Sequence, residues 1–227
     1  MKADIRALGS ILSGLVVSGV LLIVLFLLAG TVNYWQAWVF VAVIAVSQTA
    51  GVVYWALTSP TVLNRRMSSG PIAETRTSQK FIISGVWLSF AALVVFGAFD
   101  HRMGWSRVPA AVSLIGDALV AIGIGVTMLV VIQNTYAAAT VRVEEGQTVV
   151  SRGVYRFVRH PMYVGNVIMM VGIPLALGSY WGVLLVIPGT LVLIYRIVDE
   201  EKLLTKELTG YREYTQQVRY RLVPYMW

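Results

Sequence analysis

The sequence contains no cysteine and only two histidines, His101 and His160. Disulfide bonds, thiolate metal ligands and cysteine nucleophiles are therefore excluded, and a metal site built from several histidines is not expected. The chain also lacks a phosphate-binding glycine loop, a dinucleotide-binding glycine fingerprint and a nucleophile elbow. We therefore expect no bound metal and no soluble nucleotide-binding domain.

Charged residues are also scarce, at 13% of 227 residues, against 57% hydrophobic residues. Soluble domains carry about 25% charged residues, so this composition indicates a protein that lies in lipid. The net charge is +7, but the basic residues lie in loops between apolar segments, where they set topology and contact anionic headgroups. We expect membrane lipids as partners and no nucleic acid.

Long uncharged segments predict the fold. Four of them are near the roughly 20 residues that a membrane-spanning helix needs, at 9–30, 36–57, 81–99 and 109–134. The first is too long for a signal-peptide core, so we interpret it as a retained span. The last uncharged stretch is divided at Gly178, which predicts a helical hairpin of 162–177 and 180–198.

The predicted fold class is therefore an all-α integral membrane protein with four full spans and a C-terminal membrane hairpin, about six membrane helices in all. An apolar stripe after Asp199 predicts a further helix along the cytoplasmic interface, which bends near Gly210. Basic residues predict the cytoplasmic loops and place both termini in the cytoplasm. Those in the loops are Arg65, Arg66, Arg76, Lys80, Arg142, Arg152, Arg156 and Arg159.

Small residues recur every four positions in two of the spans, at Ser10, Gly14 and Ser18, and at Gly172 and Ala176. Such stripes allow helices in lipid to approach closely. Packing within one chain is favoured over dimerisation, and the oligomeric state stays open.

The segment RHPMYVG runs from Arg159 to Gly165. Pro161 can take the first position of a helix, so Arg159 and His160 would stand just before a helix N-terminus. That end attracts anions, and both side chains add donors. The alternative is a turn at the membrane entry, with Arg159 reaching the headgroups.

Two adjacent carboxylates, Glu200 and Glu201, follow Arg196 at the predicted end of the hairpin. Arg196 and Glu200 are four residues apart and share a helix face. If these carboxylates face the basic start of the other hairpin helix, the two groups together can bind a zwitterion. The simpler interpretation is a solvated helix end.

Three further polar residues lie in or at the end of the fourth span. Gln133 and Asn134 either line a pocket or satisfy a helix end. Asp117 is a functional candidate because acids inside a membrane are costly. We favour instead an ion pair with Arg107 or access to the outer interface.

The chain resembles the isoprenylcysteine carboxyl methyltransferase family in two runs, RGVYRFVRHPMYVGNVIMMVGIPLALGS and RIVDEEKLLTKELTGYREYTQQVRYRLVPYMW. The bacterial and archaeal relatives of this family share this signature with phospholipid N-methyltransferases. The resemblance is strong over residues 133–227 and rests on RHPxYxG followed by RxxxEE. It implies N-terminal spans in 1–132 and a cofactor-binding, catalytic region in 133–227, in a prokaryotic cytoplasmic membrane.

The resemblance further implies S-adenosylmethionine as the methyl donor and S-adenosylhomocysteine as the product. The acceptor would be lipophilic or lipidated, with a carboxylate as the methylated group and an amine as the alternative. The implied catalytic residues are Arg159, Arg196 and Glu200. The implied cofactor-binding residues are Gln133, Asn134, Tyr155, Arg159, His160, Pro161, Tyr163, Gly165, Glu200 and Glu201.

Two other functions compete with a methyltransferase. The first is a membrane reductase that uses NADPH, because reductases of the sterol type resemble this family in the C-terminal half. A non-catalytic membrane module, such as a transporter or scaffold, would bind no cofactor. The intact RHPMYVG segment and the Glu200–Glu201 pair favour the methyltransferase.

Overall fold

A computed structural model gives the fold and describes residues 2–59, 61–63, 74, 76–137, 143 and 146–227, with side chains from residue 7 onward. The predicted loop residues Arg65, Arg66 and Arg142 lie outside these ranges. Within them the regular structure is helical and contains no strand, as the composition predicts.

Seven α-helices have both ends among the described residues, and residues 61–63 are helical as well. Five segments are long and apolar enough to cross a membrane, namely the first four helices and the stretch Trp181–Glu207. The four predicted spans and the all-α membrane fold are therefore confirmed. The helices are α1 (Lys2–Ala29), α2 (Trp35–Thr58), α3 (Thr77–Met103), α4 (Ala110–Gln133), α5 (Pro161–Ala176), α6 (Val186–Glu207) and α7 (Tyr211–Gln217).

The C-terminal hairpin consists of α5, a turn and α6. Gly178 takes a left-handed conformation in the turn, with φ of 74°, which a residue with a side chain rarely adopts. The second hairpin helix was predicted to end at 198, but it continues without interruption to Glu207. The predicted interfacial helix is therefore a direct extension of α6, because the residues after Asp199 are mostly strong helix formers.

Glycines bring α4 and α5 into close contact. A Cβ atom added to Gly165 would lie 2.8 Å from the carbonyl oxygen of Gly123, and one added to Gly172 would lie 2.8 Å from that of Gly116. Because only glycine permits this approach, α4 supports α5 along its whole length. The predicted stripe of Gly172 and Ala176 is therefore used for packing within the chain.

The turn of the hairpin is fixed to the end of α3. The hydroxyl group of Tyr34 donates a 2.6 Å hydrogen bond to the carbonyl of Leu177, and Ser179 donates one to the carboxylate of Asp100. Asp100 also accepts a 2.8 Å bond from the backbone N–H of Ser106. With its turn held in this way, the hairpin has its open end, at His160 and Glu200, on the opposite side of the bundle.

The expectation for Asp117 was wrong. Its side chain is buried, and neither carboxylate oxygen has a hydrogen-bond partner among the described residues. The ion pair with Arg107 is absent there, because Asp117 faces the packed interior of the bundle rather than the loop before α4.

Candidate active site

The start of α5 is attached to the last segment of the chain. The backbone N–H of Arg159 donates a 2.9 Å bond to the carbonyl of Tyr220, and that of His160 donates a 3.0 Å bond to the carbonyl of Arg221. Pro161 takes the first helical position, where its missing N–H leaves no bond unmade. The segment after α7 therefore fixes the position of the helix N-terminus.

The carboxylate of Glu201 binds three basic side chains. Its Oε1 atom lies 2.7 Å from Nε of Arg159 and 3.2 Å from Nε2 of His160, and its Oε2 atom lies 2.8 Å from Nε of Arg221. We call these four residues the Glu201 cluster. Two guanidinium groups face one carboxylate, so the cluster carries at least one uncompensated positive charge. Such a group of donors beside a helix N-terminus attracts an anion.

Glu200 belongs to a separate buried network. Tyr163 donates its hydroxyl hydrogen to Glu200 at 2.6 Å and accepts a hydrogen bond from Nε of Arg196 at 2.8 Å. Arg196 also donates to Gln79 at 3.2 Å, and Gln79 donates to Asp199. The network therefore holds the carboxylate of Glu200 in position from α3, through Arg196 and Tyr163.

A cavity with about 810 Å³ of empty space, open solvent at its mouth included, is lined by residues from both groups. Arg159 and His160 of the Glu201 cluster contribute to its lining, and so does Glu200. Its lining consists of Asn134, Tyr136, Ala137, residues 147–150, Tyr155, residues 159–163, Glu200, Leu204, Leu208, Tyr211 and Tyr214.

Tyrosines make up much of the cavity wall. The pKa of Tyr155 is raised to about 12, mainly by burial. The hydrogen bond with Asn134 lowers this pKa, and the negative charge of Glu200 raises it further. Burial is also the main cause that raises the pKa of Tyr211 and of Tyr214. These three phenols are therefore neutral at physiological pH and can act as hydrogen-bond donors or contact a cation with their ring faces.

Seven of the residues predicted to bind a cofactor line this cavity, and three do not. Gly165 packs against α4, and Gln133 accepts a 2.9 Å hydrogen bond from the backbone of Val154. Glu201 is absent from the lining because it lies behind Arg159 and His160. The seven are Asn134, Tyr155, Arg159, His160, Pro161, Tyr163 and Glu200.

The predicted catalytic residues are divided in the same way. Glu200 and Arg159 line the cavity, whereas Arg196 lies behind the phenol of Tyr163 and is almost fully buried. From there Arg196 can position Tyr163 and Glu200, and it does not reach the cavity directly. Their roles in binding and catalysis remain predictions.

Sequence reasoning missed four residues of the site. Gln79 gave no sign of its role, because a single polar residue in an apolar helix is common. Arg221 was one of several basic residues in the tail. Tyr211 and Tyr214 lie on one face of α7, and the apolar stripe that includes Tyr211 could have identified the helix as a wall of the cavity.

Comparisons with known proteins agree with this arrangement. Residues 112–211 match the family model described as Phospholipid methyltransferase. The fold is similar to that of the eukaryotic intramembrane Ras methyltransferase ICMT (isoprenylcysteine carboxyl methyltransferase), with a TM-score of 0.54 and 18% identity over 92% of this chain and 74% of that one. No curated protein sequence matches the chain. The two matches confirm the predicted resemblance.

Proposed function

We propose that this integral-membrane, multi-pass protein transfers a methyl group from S-adenosylmethionine to a lipophilic acceptor. The proposal is supported by the match of residues 112–211 to the phospholipid methyltransferase family model and by the similarity of the fold to that of ICMT. The observation that carries this proposal is the charge pattern of the cavity. Two basic residues of the Glu201 cluster, Arg159 and His160, and the acidic Glu200 line the same cavity. The amino-acid portion of the donor carries one charge of each sign.

The residues present fit the donor in three respects. Arg159 and His160 offer positive charge to the carboxylate of the donor, and Glu200 offers negative charge to its ammonium or sulfonium group. The neutral phenol of Tyr155 adds a polar and aromatic wall. The buried hydroxyl of Tyr211 has no partner among the described residues, as expected of a group that bonds to a ligand.

The donor supplies an electrophilic methyl group on a cationic sulfur. The protein contributes position and the exclusion of water. Charge is neutralised when a carboxylate attacks a sulfonium, so a site away from water favours the reaction. Arg196 and Gln79 hold Tyr163 and Glu200 in place, which limits the motion of the cavity wall.

We propose a carboxylate on a lipid-like or isoprenylcysteine-like molecule as the acceptor. Such a group is ionised at neutral pH and needs no general base. An amine headgroup is the second candidate, because Glu200 lines the cavity and can accept the proton that an ammonium must lose. The description of the matched family model also favours a phospholipid acceptor.

The acceptor is identified by incubating the purified protein with isotopically labelled S-adenosylmethionine and a total lipid extract. Mass spectrometry then finds the labelled lipids. A methyl ester releases labelled methanol in mild alkali, whereas a methylated amine keeps its label. Glu200→Gln should lose most of the activity, and Glu207→Gln, which changes an exposed residue on the same helix, should retain it.

Ligand binding separates the proposal from a reductase. S-adenosylhomocysteine should raise the melting temperature of the protein in detergent, because a ligand that binds the folded state stabilises it. NADPH should not. Stabilisation by NADPH alone would overturn the methyltransferase, and stabilisation by neither would favour a non-catalytic membrane protein.

We also propose that the cavity opens on the cytoplasmic side of a prokaryotic membrane, with both termini on that side. The chain has no cysteine, so single cysteines can report its topology. An impermeant maleimide should label Met103→Cys in intact cells, and it should label Glu213→Cys only after the cells are permeabilised. Both side chains are exposed.

A further inference from the structure

Tyr211 lines the cavity, and its hydroxyl group has no hydrogen-bond partner within the part of the chain that the structure describes. Its side chain is 4% exposed, and its hydroxyl oxygen is buried without a hydrogen-bond partner among the described residues. An unsatisfied buried hydroxyl destabilises a protein, so most such groups are paired. A buried donor that lines a cavity and has no protein partner is expected to bond to the molecule that fills the cavity.

The other tyrosines of the wall show the contrast. Tyr214, one turn further along α7, donates a 2.7 Å hydrogen bond to the carbonyl of Tyr155. The hydroxyl of Tyr155 accepts a 3.1 Å bond from Asn134, and that of Tyr163 donates to Glu200. Tyr211 therefore differs from its neighbours in its partners and not in its burial.

The electrostatic surroundings indicate what Tyr211 would bind. Burial raises the pKa of the Tyr211 phenol, the negative charges of Glu201 and Glu200 raise it further and the positive charge of Arg159 lowers it, so charges of both signs lie near the hydroxyl. Both oxygens of Glu201 are engaged by the basic side chains of the cluster. One oxygen of Glu200 is engaged by Tyr163. Tyr211, Arg159 and His160 line the same cavity, so the hydroxyl is a spare donor in a cavity that also offers two basic side chains to an anionic group of a ligand.

We propose that Tyr211 donates its hydroxyl hydrogen bond to the carboxylate of the methionine portion of S-adenosylmethionine and so contributes to recognition of the methyl donor. This inference rests on the proposed function. It gives α7 a direct part in binding, since the helix carries a donor for one specific group of the ligand.

Two ligands and two variants test the proposal. S-adenosylhomocysteine has the amino-acid carboxylate, and 5′-methylthioadenosine lacks it. Isothermal titration of the detergent-solubilised protein gives the affinity of each. Tyr211→Phe should weaken binding of S-adenosylhomocysteine by roughly tenfold or more, because it removes a bond to a charged group, and should leave 5′-methylthioadenosine within about twofold.

The melting temperature without ligand supplies a second measurement. Tyr211→Phe should leave it unchanged or raise it, because the lost hydroxyl is unpaired. Tyr214→Phe is the matched control on the same helix. It should lower the melting temperature, because it leaves the carbonyl of Tyr155 unpaired, and it should keep the ratio of the two affinities.

The measurements distinguish failure of the inference about Tyr211 from failure of the proposed function. If the unaltered protein binds S-adenosylhomocysteine and Tyr211→Phe binds it equally well, the inference is overturned and the proposed function stands. If Tyr211→Phe weakens both ligands equally, the hydroxyl does not recognise the carboxylate and the inference is also overturned. If the unaltered protein binds neither ligand, the proposed function fails together with the inference.

Discussion

The Nε2 atom of His160 lies 3.2 Å from the Oε1 atom of Glu201, although 41 positions separate the two residues. Arg159 and Arg221 bind the same carboxylate at 2.7 and 2.8 Å. Glu201 therefore joins the beginning of α5, the end of α6 and the segment after α7. These three parts enclose the cavity, so this carboxylate determines the shape of the site as well as its charge.

Glu201→Gln should reduce the free energy of unfolding by about 3 kcal/mol, because it leaves two buried or half-buried guanidinium groups without a counter-charge. Thermal or chemical unfolding in detergent measures the change. Glu207→Gln, at an exposed position of α6, is the control and should leave stability unaltered. Equal melting temperatures for the two variants would show that the cluster does not hold these segments together.

Gln79→Leu should lower the turnover rate by roughly two- to thirtyfold, the range seen for residues that act through a connected network. Gln79 does not line the cavity, but it holds Arg196, which holds Tyr163 next to Glu200. Steady-state kinetics should show a loss in kcat with little change in the KM for the donor. Ser78→Ala, on the exposed face of α3, should behave as the unaltered protein does.

Gly116→Ala should destabilise the protein by about 1–3 kcal/mol, because the added Cβ would collide with the backbone of Ala176. The backbone of α5 cannot yield as a flexible side chain can. On the same helix, Gly125 has open space around it, so Gly125→Ala should leave stability unchanged or raise it. The difference between the two melting temperatures measures how closely α4 and α5 must approach. No difference would contradict this packing.

Asp117→Leu should raise the free energy of unfolding by about 1 kcal/mol, because it replaces a buried carboxyl that has no partner among the described residues. Asp100→Asn should lower it by about 1–3 kcal/mol, because the Asp100 carboxylate accepts bonds from Ser106 and Ser179. Unfolding in detergent compares the two. Loss of methyl transfer in Asp117→Leu, with stability retained, would instead assign Asp117 a functional role.

The sequence predicted the membrane helices well, because each span depends on a local property. A run of about 20 apolar residues has few alternatives in lipid, and Gly178 identified the turn of the hairpin. The end of α6 was harder to predict. The charged residues after Asp199 mark where the apolar segment ends, but they continue the same helix to Glu207.

The site was predictable only in part, because its contacts connect distant positions. His160 and Glu200, which belong to the two motifs, line one cavity, as expected of residues at the open end of a hairpin. The contact between Arg221 and Glu201 forms because the last segment of the chain returns to the start of α5. No local sequence pattern predicts that return. For the same reason, the four-residue spacing predicted that Arg196 and Glu200 share a helix face, but it could not predict that Arg196 lies behind Tyr163.

The length of α5 has a consequence for the surrounding lipid. Its 16 residues measure about 24 Å at 1.5 Å per residue, which is less than the roughly 30 Å of an average hydrocarbon layer. None of its residues is exposed, so longer helices surround α5, and its shortness places at least one of its ends inside the thickness of the membrane. If the end at His160 is the one below the surface, a lipid acceptor reaches the cavity with its headgroup while its tails stay in the membrane.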